Sequence, residues 1–263
     1  MVEREEMPMH IMVFDTETTS IEKPFCYNIG YVIYDTDNLM VVVKRDFVVE
    51  QVWHNTMLFT TAYYADKRGG YINSMKARKT IMEKFGYITR QMARDIADFE
   101  IEHAFAYNSP FDIRVFEYNC DWFKCINPFD NVAIHDIRGY VHKVIAWSDE
   151  FQAFCDKHEY YTESGHYSTT AETVYRYYTD NTEFIEEHTA LADSEIECAI
   201  LTYTISLGCE WGKDYKVYQS ICRNVLKQFE VIDAEGESHI FEYTNKRKIN
   251  NENGLKFTIK KRG

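Results

Sequence analysis

The stretch HIMVFDTETT, from His10 to Thr19, decides much of the predicted fold. Its first half is a short apolar run with β-branched residues and polar residues follow directly, so the pattern predicts a buried strand. Side chains two positions apart on a strand share a face, so Asp15 and Glu17 project together while Thr16 turns away. Two carboxylates this close repel each other unless a cation lies between them.

A second acidic segment follows another predicted strand, which covers residues 103–107. Ser109 can cap a helix and Pro110 suits its first turn, so we expect a helix from here to about Asn119. Asp112 then lies in the first turn and can reach back over the strand end, where the carboxyl edge of a sheet often binds ligands. Taken alone, Asp112 is explained more simply, because an acid in a first turn complements the helix dipole.

A histidine and an aspartate five positions apart form the third segment. His188 and Asp193 lie at the start of a long, uninterrupted predicted helix over residues 189–206. Five helical steps place two side chains about 140° apart, so these two converge only if His188 precedes the helix. An exposed imidazole with a pKa near neutrality suits removal of a proton from a metal-bound water.

The remaining pattern predicts an α/β fold, a mixed sheet flanked by helices. Further strands are predicted at 28–34 and 39–49, joined by a turn over 35–38, and at 132–135. Helices are predicted at 55–85 with a break at Gly69-Gly70, at 89–99, at 137–146, at 148–158 with Ser148 as N-cap, and after a capping box at 169–172.

The character of the sequence changes after Gly208. A helix is predicted at 216–229, followed by a hairpin with arms at 239–249 and 255–260 and a turn at 250–254. We therefore divide the chain into a domain of residues 1–206 and a basic C-terminal extension of residues 207–263, a small helix plus a β-hairpin. The extension could serve as a strand-guiding arm, a dimer contact or a docking site.

Composition favours a cytoplasmic protein without a membrane span. The chain has 263 residues and 45% hydrophobic content, enough for a substantial core, and its apolar runs near the N-terminus are far shorter than the roughly 18 residues of a span. Glutamates at positions 3, 5 and 6 occupy what would be the basic region of a signal peptide. Seven cysteines without a C-x-x-C pair argue against a disulfide framework and a zinc finger, and favour a reducing, cytoplasmic setting.

The net charge of −13 is unevenly distributed along the chain. Residues 67–94 contain eight basic side chains and one acid, and residues 246–262 contain seven and one. Both stretches can contact phosphates and offset an acidic cleft, although a solvated surface explains each of them equally simply. The aromatic residues, 20 Tyr, 17 Phe and 4 Trp, include some that can stack on bases, but the sequence indicates no particular ring.

Together, the three acidic segments resemble the exonuclease motifs of the DEDD superfamily. They read FDTETT at 14–19, YNSPFD at 107–112 and HTALAD at 188–193. The histidine five positions before the last aspartate matches the DEDDh, or DnaQ-like, branch, which includes the proofreading subunit of bacterial replicative polymerase and ribonuclease T. The resemblance covers about residues 10–206, in the right order, and departs from the family pattern at Ser20, Tyr107 and Thr189.

The resemblance implies an RNase H-like fold and 3'-to-5' hydrolysis of single-stranded DNA, RNA or both to nucleoside 5'-monophosphates. It implies two Mg2+ or Mn2+ ions held by Asp15, Glu17, Asp112 and Asp193, with Asp15 bridging both ions. His188 is the implied general base. The residues implied at the terminal nucleotide are Thr18, Thr19, Asn108 and Phe111.

Two other functions are compatible with the sequence. One is a non-catalytic nucleic-acid-binding or polymerase-associated module, although such a protein has no need of so costly a cluster of like charges. The other is an oligonucleotide-specific phosphodiesterase that uses the same ligands on short substrates. The expected partner is the 3' end of a single strand, with no membrane. The sequence does not decide whether the chain forms a homodimer or binds a polymerase.

Overall fold

The computed structural model describes residues 10–62 and 65–221, and the backbone of two further strands at 227–232 and 238–243. A six-stranded sheet forms its centre, with the strand order β4-β3-β2-β1-β5-β6. The strands are β1 (His10–Thr18), β2 (Cys26–Asp35), β3 (Met40–Val49), β4 (Ile81–Glu83), β5 (His103–Ala106) and β6 (Ala133–Asp136).

Helices cover both faces of this sheet. They are α1 (Glu50–Trp53), α2 (Thr56–Phe59), a 3-10 turn (Ala65–Lys67), α3 (Arg68–Lys76), α4 (Phe85–Asp98), α5 (Ser109–Phe123), α6 (Ile137–Val144), α7 (Asp149–His158), α8 (Ala171–Thr179) and α9 (Ala190–Ser206). One face of the sheet packs against a core that includes α4 and α5, and the other against α6 to α9. The predicted mixed sheet flanked by helices is therefore confirmed.

Alternation along β1 divides its side chains between these two cores. Ile11 and Val13 pack on the α9 side, whereas Met12 and Phe14 pack on the α5 side, and all four are fully buried. The strand continues to Thr18, beyond the predicted apolar run. The same alternation therefore places the two acids at positions 15 and 17 on the α9 side.

The carboxyl half of β1 has a neighbouring strand on one side only. β1 pairs antiparallel with β2 from His10 to Thr18, but its parallel pairing with β5 covers only Met12 and Val13. β5 ends at Ala106, and the chain then turns into α5. The carboxyl edge between two separating parallel strands is the usual place for a ligand site in such a sheet.

Helix α9 approaches the sheet most closely at Gly30 of β2. A Cβ atom on Gly30 would lie 2.0 Å from the backbone nitrogen of Leu191 and 2.2 Å from the carbonyl carbon of Ala190. The Ser194 hydroxyl donates a hydrogen bond of 3.0 Å to the Gly30 carbonyl oxygen. Gly30 is the register partner of Asp15, so this contact fixes the start of α9 against the first acid.

Several other predicted elements are confirmed. The structure has the strands predicted around residues 28–34, 39–49 and 132–135, and helices near 89–99, 137–146, 148–158 and 189–206. The Ser148 side chain accepts from the backbone N–H of Phe151 as predicted for an N-cap. The six described cysteines are free thiols. No described helix is both long and apolar enough to cross a membrane.

The prediction of a mostly helical segment over residues 55–85 is correct for its helical content but wrong about the break at Gly69-Gly70 and about residues 81–83. That segment holds α2, the 3-10 turn, α3 and β4, and Gly69-Gly70 lies in the first turn of α3 instead of forming a break. Tertiary contacts explain the difference. The Arg68 guanidinium lies 4.8 Å above the Trp53 ring, and β4 pairs in parallel with β3.

The predicted cap of α5 is also wrong by one residue. The N-cap is Asn108, in the left-handed region with φ 66, and Ser109 is the first helical residue. Asparagine tolerates this conformation better than serine, and the Asn108 N–H donates to Asp136 Oδ1 at 3.0 Å. Pro110 lies in the first turn as predicted, and the helix continues past Asn119 to Phe123.

The helix predicted at 216–229 is wrong. Residues 216–221 are not helical, and residues 227–229 belong to β7 (Lys227–Ile232), which pairs antiparallel with β8 (Ser238–Tyr243). Tertiary contacts use the backbone groups that a helix needs, since Tyr218 N–H donates to His142 Nδ1 and the Ile221 carbonyl accepts from Tyr167.

The C-terminal extension thus contains an antiparallel pair of strands, of which β8 overlaps the first predicted arm at 239–249. The predicted turn at 250–254, the arm at 255–260 and the basic stretch at 246–262 lie outside the described residues. Residues before the hairpin pack on the main domain, with Trp211 beside Tyr34 and the Tyr215 carbonyl against Gly139. The division between residues 206 and 207 stays a prediction.

Candidate active site

Three of the predicted acids come together at the carboxyl half of β1. One side-chain oxygen from each of Asp15, Glu17 and Asp193 lies within 4.8 Å of the other two. Asp15 and Glu17 share one face of β1, and Asp193 lies in the first turn of α9. Glu17 and Asp193 are buried and Asp15 is partly buried. The strand alternation and the close approach of α9 together produce this cluster.

The cluster fits a divalent cation. Asp193 Oδ1 is buried and has no hydrogen-bond partner among the described residues. An unsatisfied buried polar group costs about 1–3 kcal/mol, and more if it is charged. Several carboxylate oxygens are the donor set preferred by hard cations such as Mg2+ and Mn2+. A bound cation would give the unpaired oxygen a partner.

Asp112 reaches the same region from the opposite helical layer. It is buried in the first turn of α5, and its Oδ1 accepts a hydrogen bond of 2.6 Å from the Thr16 hydroxyl. Thr16 points away from the acids of β1, as predicted, and thereby holds Asp112. Asp112 is not among the three acids whose oxygens lie within 4.8 Å of one another.

Burial and mutual repulsion oppose ionisation of these acids. Desolvation, and then the charge of Glu186, raise the pKa of Asp15 to about 7. Desolvation, and then the charge of Asp15, raise the pKa of Glu17 to about 9 and that of Asp193 to about 10. The same two causes raise the pKa of Asp112. A cation reverses this balance because an opposite charge favours the carboxylate.

His188 lies outside α9, as its convergence with Asp193 requires. It has φ 50, and the helix begins two residues later at Ala190. Its Nδ1 atom lies 3.7 Å from Glu186 Oε2. Desolvation, and then the charge of Lys67, lower the pKa of His188. The neutral imidazole, which can accept a proton, is therefore the main form at pH 7.

The four residues predicted at the terminal nucleotide lie at the end of β1 and the start of α5. The Thr18 hydroxyl donates to the Ser20 carbonyl, and the Thr19 N–H donates to the Phe25 carbonyl. The Asn108 side-chain oxygen accepts from Arg138 at 3.4 Å. The Phe111 ring lies 5.2 Å from the guanidinium of Arg114. Contacts with a nucleotide stay a prediction for all four.

Solved structures of known exonucleases share this architecture. The chain is similar to the nuclease domain of 3'hExo, a DEDDh family member, bound to rAMP, with a TM-score of 0.53 and 15% identity over 82% of this chain and 99% of that one. This chain has the fold of the DEDDh exonucleases. It is also similar to a full-length 3'-exonuclease, with a TM-score of 0.54 and 13% identity over 92% and 69% of the two chains.

This similarity confirms the predicted RNase H-like fold class. A further similar structure is of a 3'-exonuclease in 3'-end specific recognition of a histone mRNA stem-loop, with a TM-score of 0.53 and 13% identity over 91% and 72% of the chains. No protein-family model and no curated protein matches this sequence. At these identities the similarity establishes the fold alone, so the activity is argued from the site.

Sequence reasoning missed a further buried acid in this DEDDh fold. Glu197 is buried four residues after Asp193, and its Oε2 accepts from the Tyr107 N–H at 3.2 Å. Desolvation, and then Asp15, raise its pKa. The available signal was its spacing, since residues four apart share a face of a helix and this helix is otherwise mainly apolar.

Asn28 was also missed, and it joins α9 to the sheet. It is buried on β2 opposite Glu17. Its Oδ1 accepts from the Ala190 N–H at 2.8 Å and from the Tyr71 hydroxyl at 2.9 Å, while its Nδ2 donates to Asp46 at 2.7 Å. No local pattern marks such a residue, because its partners are distant in sequence.

A divalent cation is expected to stabilise the protein more at pH 8 than at pH 6. The raised pKa values of Asp15, Glu17 and Asp193 mean that the folded state holds more protons than the unfolded chain above about pH 4. Metal-free stability therefore falls as pH rises through these pKa values. A cation competes with the protons, so its effect grows with pH.

Thermal melts in EDTA and in saturating Mn2+ at both pH values test this expectation. The same Mn2+ concentration is used at both pH values, and where it is about 100 times the dissociation constant it gives about 2.7 kcal/mol, which raises the melting temperature by several degrees. The rise should be larger at pH 8. Equal rises at the two pH values, or none, would contradict a cation site built from these acids.

Proposed function

We propose that this protein is a two-metal-dependent 3'-to-5' exonuclease that hydrolyses single-stranded nucleic acid to nucleoside 5'-monophosphates. The observation that carries the proposal is the cluster of Asp15, Glu17 and Asp193, with a buried carboxylate oxygen that lacks a partner. Hydrolysis of a phosphodiester benefits from two cations, one beside the nucleophile and one beside the leaving oxygen. The substrate is DNA, RNA or both.

Asp15, Glu17, Asp112 and Asp193 would hold the two cations. When bound, Mg2+ or Mn2+ would lower the pKa of a water molecule and neutralise charge on the scissile phosphate. Thr16 positions Asp112 through its short hydrogen bond. Gly30 and Asn28 position the start of α9, and with it Asp193, against β1.

His188 is the proposed general base. Its position before α9 leaves the imidazole outside the helix, and its lowered pKa keeps it neutral at pH 7. It would accept the proton of the attacking water as the water oxygen bonds to phosphorus and the bond from phosphorus to the 3' oxygen of the preceding nucleotide breaks. That oxygen takes a proton from solvent and becomes the new 3' hydroxyl of the shortened strand. Glu186 lies 3.7 Å from its Nδ1 and would stabilise the imidazolium produced.

Thr18, Thr19, Asn108 and Phe111 are proposed to bind the terminal nucleotide. They lie where β1 ends and α5 begins, next to the carboxylate cluster. A similar structure, the nuclease domain of 3'hExo, is bound to rAMP, which belongs to the class of product proposed for this chain. Lys67 lies beside the same cleft, where its ammonium group donates to the Glu187 carbonyl.

Digestion of 5'-labelled single strands tests the proposal. With Mg2+ or Mn2+, matched DNA and RNA 20-mers should shorten from the 3' end in single-nucleotide steps and release nucleoside 5'-monophosphates. EDTA should stop the reaction. A dinucleotide measured in parallel separates a polymer-directed enzyme from an oligonucleotide-specific phosphodiesterase. Internal cleavage, shortening from the 5' end or metal-independent turnover would refute the proposal.

A further inference from the structure

Three aromatic side chains form an open slot on the outer surface of α5. Tyr118 and Trp122 lie four residues apart on this helix, and their rings are nearly parallel, at 17°, with centroids 6.4 Å apart. Phe25 packs edge-on to both rings, at 5.2 Å and 5.1 Å. Phe25 is buried whereas Trp122 is 60% exposed, so Phe25 forms the floor and the other two form the walls.

The spacing of the walls suits one planar ring. Successive stacked bases are about 3.4 Å apart, so a base between two aromatic rings needs roughly twice this distance between them. The ring centroids of Tyr118 and Trp122 are 6.4 Å apart, which sets the largest possible gap between the two ring planes and is close to that value.

Hydrogen bonds hold the floor of the slot against α5. The loop over residues 20–25, which carries the floor, is bonded to α5: Asn119 Nδ2 donates to the Pro24 carbonyl at 2.7 Å, and Arg114 donates to the Ile21 carbonyl at 3.3 Å. This loop directly follows Thr18 and Thr19. The loop therefore links the slot to the end of β1, where the terminal nucleotide is proposed to bind.

Helix α5 also connects the slot to the catalytic acids. Trp122 lies ten residues after Asp112, which is about 15 Å along a helix. Phe111, with the Arg114 guanidinium above its ring, lies at the beginning of this path. A stacked strand covers this distance in about four nucleotides.

Charge on this surface does not favour a nucleic acid, because the exposed bases Arg114 and Lys124 are matched by the exposed acids Glu117 and Asp121. The affinity must then come from stacking on the rings, which every base can do. Stacking requires unpaired bases, so the surface selects a single strand. A partner held by phosphate contacts alone would gain little here.

We propose that the slot formed by Phe25, Tyr118 and Trp122 binds one base of the substrate strand about four nucleotides from the scissile 3' end. This inference rests on the proposed function and adds the path of the strand to it. The slot makes strands of five or more nucleotides better substrates than a dinucleotide, independently of salt.

An abasic scan tests this position directly. A labelled 12-mer is prepared with a single abasic site at each position from the second to the eighth nucleotide counted from the 3' end, and its dissociation constant is measured by anisotropy in EDTA. For the wild-type protein we expect a rise of about tenfold at one or two adjacent positions near the fourth or fifth. The rise should persist at 0.3 M salt.

Variants of the walls supply the decisive comparison. In Trp122→Ala and Tyr118→Leu proteins, the intact 12-mer should bind about tenfold more weakly and the abasic profile should become flat. Trp122→Phe, which retains a ring, should restore most of the profile. Trp147→Ala is the control, because Trp147 is also exposed but follows α6 on the other side of the sheet. It should behave as wild type.

The outcomes separate this inference from the proposed function. A flat abasic profile in the wild-type protein, or a profile unchanged in Trp122→Ala, overturns the slot even if the strand is digested with Mg2+. A position-dependent profile lost in Trp122→Ala supports the slot. If that profile occurs without digestion in Mg2+ or Mn2+, the slot stands and the exonuclease proposal fails.

Discussion

An Asp193→Asn variant is expected to digest single strands at least about a thousandfold more slowly than wild type in the presence of metal. Asparagine keeps the shape of the side chain but removes the charge that a cation needs. Loss of the carboxylate charge at position 193 also removes the repulsion with Asp15. The metal-free variant should therefore be as stable as wild type or more stable. Initial rates on a labelled 20-mer and melting temperatures in EDTA measure the two effects.

A His188→Asn variant is the matched control for this loss. It should also digest slowly, by about a hundredfold or more, because the proton acceptor is absent. Unlike Asp193→Asn, however, it should keep the rise in melting temperature produced by Mn2+. Full activity in the Asp193→Asn protein, or an undiminished Mn2+ effect on its stability, would show that Asp193 is not a metal ligand.

A Gly30→Ala variant is expected to lose at least about 3 kcal/mol of folding free energy. The added Cβ would lie 2.0 Å from the Leu191 nitrogen and 2.2 Å from the Ala190 carbonyl carbon, and backbone atoms cannot move aside as a flexible side chain can. Helix α9 would have to shift away from β2. Since Asp193 lies in the first turn of this helix, any protein that folds should bind Mn2+ more weakly.

A Gly69→Ala variant provides the contrast. Gly69 is also in regular structure, at the start of α3, but nothing lies within 4 Å of a Cβ added there. Alanine should therefore leave stability unchanged or raise it by up to about 1 kcal/mol. Urea unfolding of both variants gives the comparison. Equal stability of Gly30→Ala and Gly69→Ala proteins would contradict the close approach of α9 to the sheet.

Local pattern was sufficient for the elements that carry the acids. An apolar run followed by D-x-E predicted β1 and the shared face of Asp15 and Glu17, because strand alternation depends only on adjacent residues. The five-residue spacing likewise predicted that His188 precedes α9. The structure agrees on both points.

Local sequence pattern gave wrong predictions where residues distant in sequence provide the hydrogen-bond partners of the backbone. Residues 216–221 resemble a helix locally, but their hydrogen bonds go to His142 and Tyr167 of the main domain. The segment over 55–85 is divided by the pairing of β4 with β3 and by the packing of Arg68 on Trp53. Propensity is a weak guide when tertiary contacts compete with it.

The sequence by itself determined the class of fold, the order of the three motifs and the types of residue available to bind metal, because these follow from short-range spacing and side-chain chemistry. Only the tertiary structure decided that Asp193 approaches Asp15 and Glu17 while Asp112 is held by Thr16 from the opposite layer. It also identified Gly30, Asn28 and the aromatic slot on α5. Such features depend on which distant segments pack together, and that is fixed by the burial of both faces of the sheet at once.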